Sequence, residues 1–381
     1  MSGDNQLSNK MLNGRTFAAI ESMCKADRYH AANIDQWDDD DDIINTTSGI
    51  VNLKNGSLLP HDPEKHCTKI TSAGPEGDCP TWCKFLDEIT GNDSELVKYI
   101  QRVFGYSLTG STKEHALIFF YGTGGNGKGT MLNAVTSILN DYAVIANADV
   151  FTESKHDRHP TELAAFVGAR LVVAQETDEG RKWAEAKIKS LTGGDPLTAR
   201  YMRGDFFTFI PKFTLIIAGN HKPTIQNIDE AMRRRLHLVP FNITIPKEKR
   251  DLDLAEKLEN ESGGIMQWMI DGVVEYNKHG LNPPQSVLDA TESYFEDENT
   301  LQQWMEDCCS TGAENWETPT ILFNSWNAFA TQANLSPRTN KELKSKLEAA
   351  GFQQVRNKLR GRHYEGIKAN GDFIPTTGNE F

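Results

Sequence analysis

Between residues 116 and 241 the apolar positions come in short unbroken runs rather than in alternation. ALIFFYG, ARLVVAQE, FTLIIAGN and HLVPF are each of strand length, and each ends on or just before a polar or turn residue. Runs of this kind predict strands buried on both faces, the pattern of a parallel α/β sheet. Around them the period changes to that of helices. Trp82, Phe85, Leu86 and Ile89 share one helical face, then Leu96, Ile100, Val103 and Phe104, with Asn92, Asp93 and Ser94 offering an N-cap to the second helix. Met131, Leu132, Val135, Ile138 and Leu139 form a third face, and Ile265, Trp268, Met269, Val273 and Tyr276 a fourth that Gly280 and Pro283-Pro284 terminate. QSVLDATESYFEDENTLQQWMEDCC predicts another helix. Beyond it, SPRTNKELKSKLEAAGFQQVRNKLRGRHYEGI predicts a helix ended by Gly351, a strand, a basic turn and a further strand. Residues 1 to about 95 mix short helical patterns with turn signals (NTTSG, KNGS, GPEG), and GIVNLKNGSLLPHD reads as a small hairpin. That stretch is expected to be a modest α-rich domain.

With 381 residues the chain exceeds what one core usually supports, so two or three domains are expected. No run approaches the ~18 apolar residues of a membrane span, and the polar N-terminus lacks the apolar stretch of a signal peptide. A cytoplasmic location without membrane association is the expectation. The net charge of −13 does not favour nucleic acid, but its distribution is uneven. From Arg338 to Lys368 nine Lys and Arg face only three Glu, a basic island on an acidic protein. Six cysteines make no disulfide framework. His66, Cys67, Cys79 and Cys83 could supply zinc ligands, although C-x-x-x-C is looser than the usual C-x-x-C, and free or buried thiols are the expected reading. Cys308 and Cys309 are expected to pack in a core. The acidic run in WDDDDDII reads as solvated charge, because consecutive carboxylates diverge.

In open α/β sheets ligands lie beyond the C-terminal ends of the strands, which draws attention to Gly122, Glu176 and Asn220. The first of these ends opens GTGGNGKGT, residues 122 to 130, which fits the phosphate-loop pattern G-x-x-x-x-G-K at Gly122, Gly127 and Lys128. Glycines allow backbone N–H groups to approach phosphate, and a helix N-terminus behind them favours negative charge. Gly122, Thr123, Gly124, Gly125, Asn126, Gly127, Lys128, Gly129 and Thr130 are the expected nucleotide contacts. Lys128 would meet the β and γ phosphates. The hydroxyl that normally follows the lysine is absent: Gly129 takes its place, and Thr130 is rotated by ~100° about the helix axis. Magnesium tolerates water ligands, so phosphates, water and Glu176 are expected to hold it, with Asp178 a second candidate ligand. Glu176 is also expected to polarise the attacking water, directly or through the metal. Asn220 would orient water or sense the γ-phosphate, although Asn is also a common strand-end cap. Arg233, Arg234 and Arg235 precede HLVPF, and an arginine there could stabilise charge in phosphoryl transfer. Three consecutive arginines cannot all point one way, so at least one should be structural.

Taken in order, GTGGNGKGT, ARLVVAQE, KSLTGGDPLTARYMRGDFFTF, FTLIIAGNHKP and AMRRRLHLVPF resemble the superfamily 3 helicase motifs of the phage and plasmid primase-helicase family. NTTSGIVNLKNGSLLPHDPEKHCTKIT, CPTWCKFLDEI and YIQRVFGYSLTG resemble the helicase-associated N-terminal domain found there and in the poxvirus primase-helicase. The resemblance, strongest over residues 35 to 245, implies an AAA+-like P-loop ATPase that assembles as a ring, usually a hexamer. ATP and magnesium would sit between subunits, with single-stranded DNA in the pore and translocation from 3′ to 5′. Lys128, Glu176 and Asn220 match the family's catalytic positions, and Arg234 and Arg235 its pair acting across the interface, Arg234 foremost. A pore hairpin would present Arg200, Tyr201, Arg203 and Lys212 to DNA. A C-terminal winged-helix-like domain would add Arg356, Lys358, Arg360 and Arg362. The implied organisation is an α-rich N-terminal domain (1–95), the ATPase core (96–245), a helical lid (246–290) and the winged-helix-like domain (291–381). About 35 residues leave no room for an upstream primase, so either a helicase-only protein or a piece of a longer chain is expected. Forked duplex DNA, a primase and other replication proteins are candidate partners. Two rivals remain open: an ATP-gated DNA-binding or origin-loading module without processive unwinding, and a small-molecule P-loop kinase, against which the arginines and the basic C-terminus count.

Overall fold

The computed structural model describes residues 13–28, 33, 36–153, 161–175, 181–225, 229–332 and 339–370. The chain divides into two compact units, one of Met1–Asp40 with Asp62–Thr68, the other of Asp41–His61 with Lys69–Phe381. In the smaller unit, helix α1 (Gly14–Ala26) starts at Asn13, whose side chain accepts from the Thr16 backbone N–H at 2.9 Å. It buries none of its residues, and Phe17, Ile20 and Met23 are exposed. Asp38 accepts from the backbone N–H and hydroxyl of Thr68, and Asp40 pairs with Lys65.

The larger unit opens with an antiparallel meander, β1 (Ile43–Thr46), β2 (Gly49–Asn52) and β3 (Ser57–Leu59). The expected α-rich region therefore carries a three-stranded sheet, of which the sequence predicted only the β2–β3 hairpin. The acidic run lies at the surface, where its carboxylates are exposed or partly exposed and pair with lysines. Asp41 pairs with Lys212 at 3.0 Å while its backbone carbonyl accepts from Arg170, and Asp42 pairs with Lys54 at 2.6 Å.

Helix α2 (Pro80–Thr90) has Pro80 in its first turn, where the missing N–H costs nothing, and the Glu261 carboxylate accepts the N–H groups of Thr81 and Trp82. It stops at Gly91, in the left-handed conformation. Helix α3 (Ser94–Tyr106) is capped by Asp93, which accepts from the N–H groups of Glu95 and Leu96. The buried faces of both helices join one apolar cluster with alternate residues of the central sheet. They thus share a core with that sheet.

The central sheet contains β4 (Leu117–Tyr121), β5 (Ala143–Asn147), β6 (Leu171–Gln175), β9 (Thr214–Gly219) and β10 (Leu236–Pro240), all parallel, in the order β10-β4-β9-β6-β5. Four strands coincide with the four apolar runs. The fifth, β5, lies at an edge with Ile145 66% exposed, and its short run AVIA is not among the four read from the sequence. Ile118 and Phe120 face the first cluster, Leu117 and Phe119 a second on the opposite side. Helix α4 (Lys128–Leu139) follows β4, and α5 (Glu185–Gly193) precedes the hairpin of β7 (Leu197–Arg200) and β8 (Phe206–Phe209).

After β10 come α6 (Leu254–Asn260) and α7 (Ser262–His279). Helix α7 lies so close to α3 that a Cβ on Gly105 would sit 2.2 Å from the Gly272 carbonyl carbon, which makes glycine the fitting residue there. Helix α8 (Gln285–Cys308) places Tyr294 and Phe295 in the second cluster, and Leu301 and Trp304 in a third. The third cluster belongs to β11 (Cys309–Glu317), α9 (Pro319–Gln332), α10 (Asn340–Ala349), β12 (Gln354–Asn357) and β13 (Gly361–Ala369), whose antiparallel sheet runs β11-β13-β12. Cys308 and Cys309 are buried there. Among the described residues no helix is long and apolar enough to cross a membrane. The fold is mixed α/β, with helices on both faces of a parallel sheet.

Candidate active site

Beyond the C-terminal end of β4 the chain turns through Gly122 to Gly127 into α4. The turn needs glycine at particular points. Gly125 and Gly127 have φ of 78° and 80°, in the left-handed region, and a Cβ on Gly127 would lie 2.5 Å from Ile89 Cγ2. A Cβ on Gly122 would lie 2.2 Å from the Phe241 carbonyl oxygen. The loop is stitched to the segment after β10: Phe241 N–H donates to Tyr121 O at 2.7 Å, Asn126 Nδ2 to Phe241 O at 3.1 Å, and Ile245 N–H to Gly125 O at 2.9 Å. Thr123 and Thr244 meet hydroxyl to hydroxyl at 3.3 Å.

Lys128 is 6% exposed. Its Nζ donates to Gly122 O at 2.7 Å, Asn126 Oδ1 at 3.0 Å and Asn220 Oδ1 at 3.4 Å. All three acceptors are neutral. Burial therefore pulls its pKa down from the ordinary lysine value to about 8. A buried ammonium held by dipoles is ready to exchange them for an anion. The cavity in front, about 470 Å³, is lined by the loop from Gly124 to Thr130, by Gln175 at the end of β6, and by Ala218 to Asn220 at the end of β9. The structure thus brings Lys128, Asn220 and the glycine loop together. Glu176 and Asp178 lie outside the described residues. Gln175, whose Nε2 donates to Asn133 at 3.1 Å, is a cavity residue that the sequence reading passed over. Gly129 has room: a Cβ there would stand 3.5 Å from Gln175 Oε1, an ordinary contact.

The three arginines diverge. Arg233 pairs with Glu292 at 3.1 Å and lies over the Phe295 ring. Arg235 is buried, donating to Thr192 Oγ1 and to the Ala231 carbonyl. Arg234 alone of the three is exposed.

At the β7–β8 turn Tyr201, Met202 and Phe206 are exposed, and Arg203 has φ of 60°. Tyr201 stacks on Phe207 at 4.9 Å, and the Arg200 guanidinium lies 5.1 Å from the Phe206 ring. Lys212 pairs with Asp41 at 3.0 Å. At the β12–β13 turn Arg356, Lys358, Arg360 and Arg362 are all exposed. Arg356 and Arg362 are direct cross-strand neighbours, an arrangement of like charges that an anion would relieve. Arg360 lies 4.7 Å from the Trp316 ring.

Among the described residues no three metal-ligating side chains gather. The Cys79 thiol is pushed up to about 12 by burial and by neighbouring Cys83, with which it hydrogen-bonds, so it stays protonated at neutral pH.

Residues 7–91 match the family described as D5 N terminal like, and residues 120–235 a family of unknown function (DUF5906). A helicase-named protein of Acanthamoeba polyphaga mimivirus is 25% identical over 324 residues, covering 78% of this chain and 34% of that protein. A helicase-named protein of Frog virus 3 is 24% identical over 235 residues, 56% of this chain and 24% of its own length. Primase D5 of Fowlpox virus is 26% identical over 175 residues, covering 43% and 22%. The chain spans about a third or less of each relative's length. Among solved structures, the apo NrS-1 C-terminal region aligns over 78% of each chain at 10% identity and a TM-score of 0.49, below the level that identifies a common fold. By its N-terminal match and these viral homologues, the chain is similar to D5-like primase-helicases.

Proposed function

We propose that this chain is the motor portion of a replication helicase. It would hydrolyse ATP with magnesium between the subunits of a ring, usually a hexamer, and translocate 3′ to 5′ on single-stranded DNA in the replication of a viral, phage or plasmid genome. The observation that carries this reading is the contact of Lys128 with Asn220, which joins the glycine loop to the neighbouring strand end in one open cavity. The position of β4 in the sheet, beside β9, supports the AAA+-like reading.

The residues present fit a triphosphate. The loop's left-handed glycines form a cradle that side chains would fill, and the buried ammonium lacks an anionic partner among its hydrogen-bond acceptors. Magnesium-bound ATP would supply the transferable γ-phosphoryl group with its charge partly neutralised. Lys128 would hold the β and γ phosphates, and Asn220 would hold water or phosphate oxygen without adding negative charge. For the metal, water and the phosphates are at hand, and Glu176 and Asp178 remain assignments from sequence. Arg234, exposed and close in sequence to two anchored arginines, is the candidate for the neighbour's site. Tyr201, Arg200 and Arg203 would contact bases and phosphates in the pore. The helices and antiparallel sheet of residues 291–370, read as a winged-helix-like domain, would contribute salt-sensitive phosphate contacts through the β12–β13 turn.

ATPase assays of the full chain with and without single-stranded DNA test the reading, together with unwinding of 3′-tailed and 5′-tailed substrates. Stimulation by DNA and unwinding of the 3′-tailed substrate are expected. A phosphotransferase acting on small molecules would show no stimulation, and an origin-loading module would bind DNA without separating strands.

A further inference from the structure

A second cavity, about 510 Å³, adjoins the first and shares Gly125, Gly127 and Thr130 with it. It lies between the start of α2 and the segment leading into α6. Phe85, Ile245 and Leu254 give it apolar wall, and its polar rim sets Lys84 and Arg250 beside Thr81 and the carboxylates of Glu88 and Asp251. Arg250 is fixed in place from its own segment: Nε donates to the Ile245 carbonyl at 3.0 Å, and Ile245 N–H in turn donates to Gly125 O. Its Nη2 lies 2.2 Å from where a Cβ on Gly125 would stand, so the guanidinium rests directly against the crown of the glycine loop. No other residue type at position 125 would leave it there.

We propose that this cavity takes the nucleoside half of the nucleotide and that Arg250 is a positioning residue whose planar guanidinium stacks on the base. This deepens the proposed function and rests on it, since the phosphates must occupy the Lys128 cavity. The physical reasons are adjacency and composition. A triphosphate in the first cavity must lead its sugar and base out past Gly125 or Gly127, and on that side the chain offers an apolar wall facing a stacking cation. Arginine stacks on flat rings, whereas lysine, a compact and strongly hydrated charge, does so poorly.

The test measures binding of ATP, ADP and inorganic tripolyphosphate to the full chain by competition with a fluorescent ATP analogue or by calorimetry. Arg250→Ala and Arg250→Lys should each weaken ATP and ADP about tenfold or more and leave tripolyphosphate within about twofold, the scale of a lost stacking contact. Thr81→Trp, which narrows the cavity from the α2 side, should do the same. Retained tripolyphosphate binding shows that a variant is folded. Equal loss of ATP and tripolyphosphate in Arg250→Ala, or no loss of either, would overturn the inference. Lys128→Ala should lose both ligands; if it keeps both, the phosphate site itself is wrong, a failure distinct from that of Arg250.

Discussion

The Lys128 ammonium stands 3.4 Å from the side-chain oxygen of Asn220, so the residue that would meet phosphate and the residue that would sense it touch before any ligand arrives. Lys128→Ala should abolish ATP hydrolysis. Asn220→Ala should lower kcat by ~10² or more with a smaller change in KM, the pattern of a group acting chiefly in the transition state. Steady-state kinetics separates the two. Equal kcat in Asn220→Ala and wild type would remove Asn220 from the mechanism.

The same burial predicts a pH dependence. With the Lys128 pKa near 8 in the free protein, the cationic form dominates below pH 8 and is lost above it. An anionic ligand prefers the cation, so ATP affinity should be flat from pH 6.5 to 7.5 and fall about tenfold by pH 9, with proton uptake on binding above pH 8. For stability the sign is opposite. The folded-state value lies below the unfolded one, so between about 8 and 10.5 the unfolded chain binds more protons and this residue makes the protein more stable as pH rises. Calorimetry in buffers of different ionisation enthalpy checks the proton uptake.

Gly129 and Gly127 should respond differently to a side chain. Gly129→Ser places its Cβ at ordinary contact distance from Gln175 and restores the hydroxyl missing from the loop, so the magnesium needed for half-maximal ATPase should fall. An unchanged requirement would refute this account of the metal. Gly127→Ala must find room against Ile89 and Phe85 at a positive φ, and should lose both nucleotide binding and stability.

Among the arginines, Arg234→Ala should leave the thermal midpoint unchanged and abolish hydrolysis, and mixing it with Lys128→Ala subunits should restore part of the activity, because each supplies what the other lacks at a shared interface. Arg235→Ala should instead lower the Tm. Removing a buried guanidinium that satisfies Thr192 and Ala231 costs about 1–3 kcal/mol. Differential scanning calorimetry distinguishes the two variants.

DNA affinity should divide along similar lines. Tyr201→Ala and Arg203→Ala should weaken single-stranded DNA binding by about 1–3 kcal/mol where stacking is lost. Lys212→Ala should change it little, since its ammonium is engaged with Asp41. Fluorescence anisotropy at two salt concentrations measures both.

These arginines and lysines also show where sequence reasoning reached its limit. The strands β4, β6, β9 and β10 were legible because a strand covered on both faces must be apolar throughout, whereas β5, half exposed at the sheet edge, has only the short run AVIA of small and β-branched residues. The glycine loop announced itself because its backbone angles restrict residue type. Lys128, Asn220 and the loop could be grouped by the rule that strand ends gather chemistry. The neighbourhood of a long cationic side chain has no local signature. Lys212 is engaged by an aspartate 171 positions away, and Arg235 by a threonine 43 positions away. Arg250 was passed over for the same reason, its place against Gly125 being set by the chain's return after β10.

Helix α8 has a mechanical consequence. Its 24 residues make a rod of about 36 Å, whose first half is bedded against the central sheet through Tyr294 and Phe295. The other end is in the C-terminal cluster, and midway the buried Glu298 pairs with Lys346 of α10 at 3.4 Å. The arm of about 20 Å beyond Phe295 converts a tilt of about 5° at the sheet into about 2 Å of travel at its tip. The basic β12–β13 turn thus rides on an arm whose pivot is the sheet that carries Lys128 and Asn220.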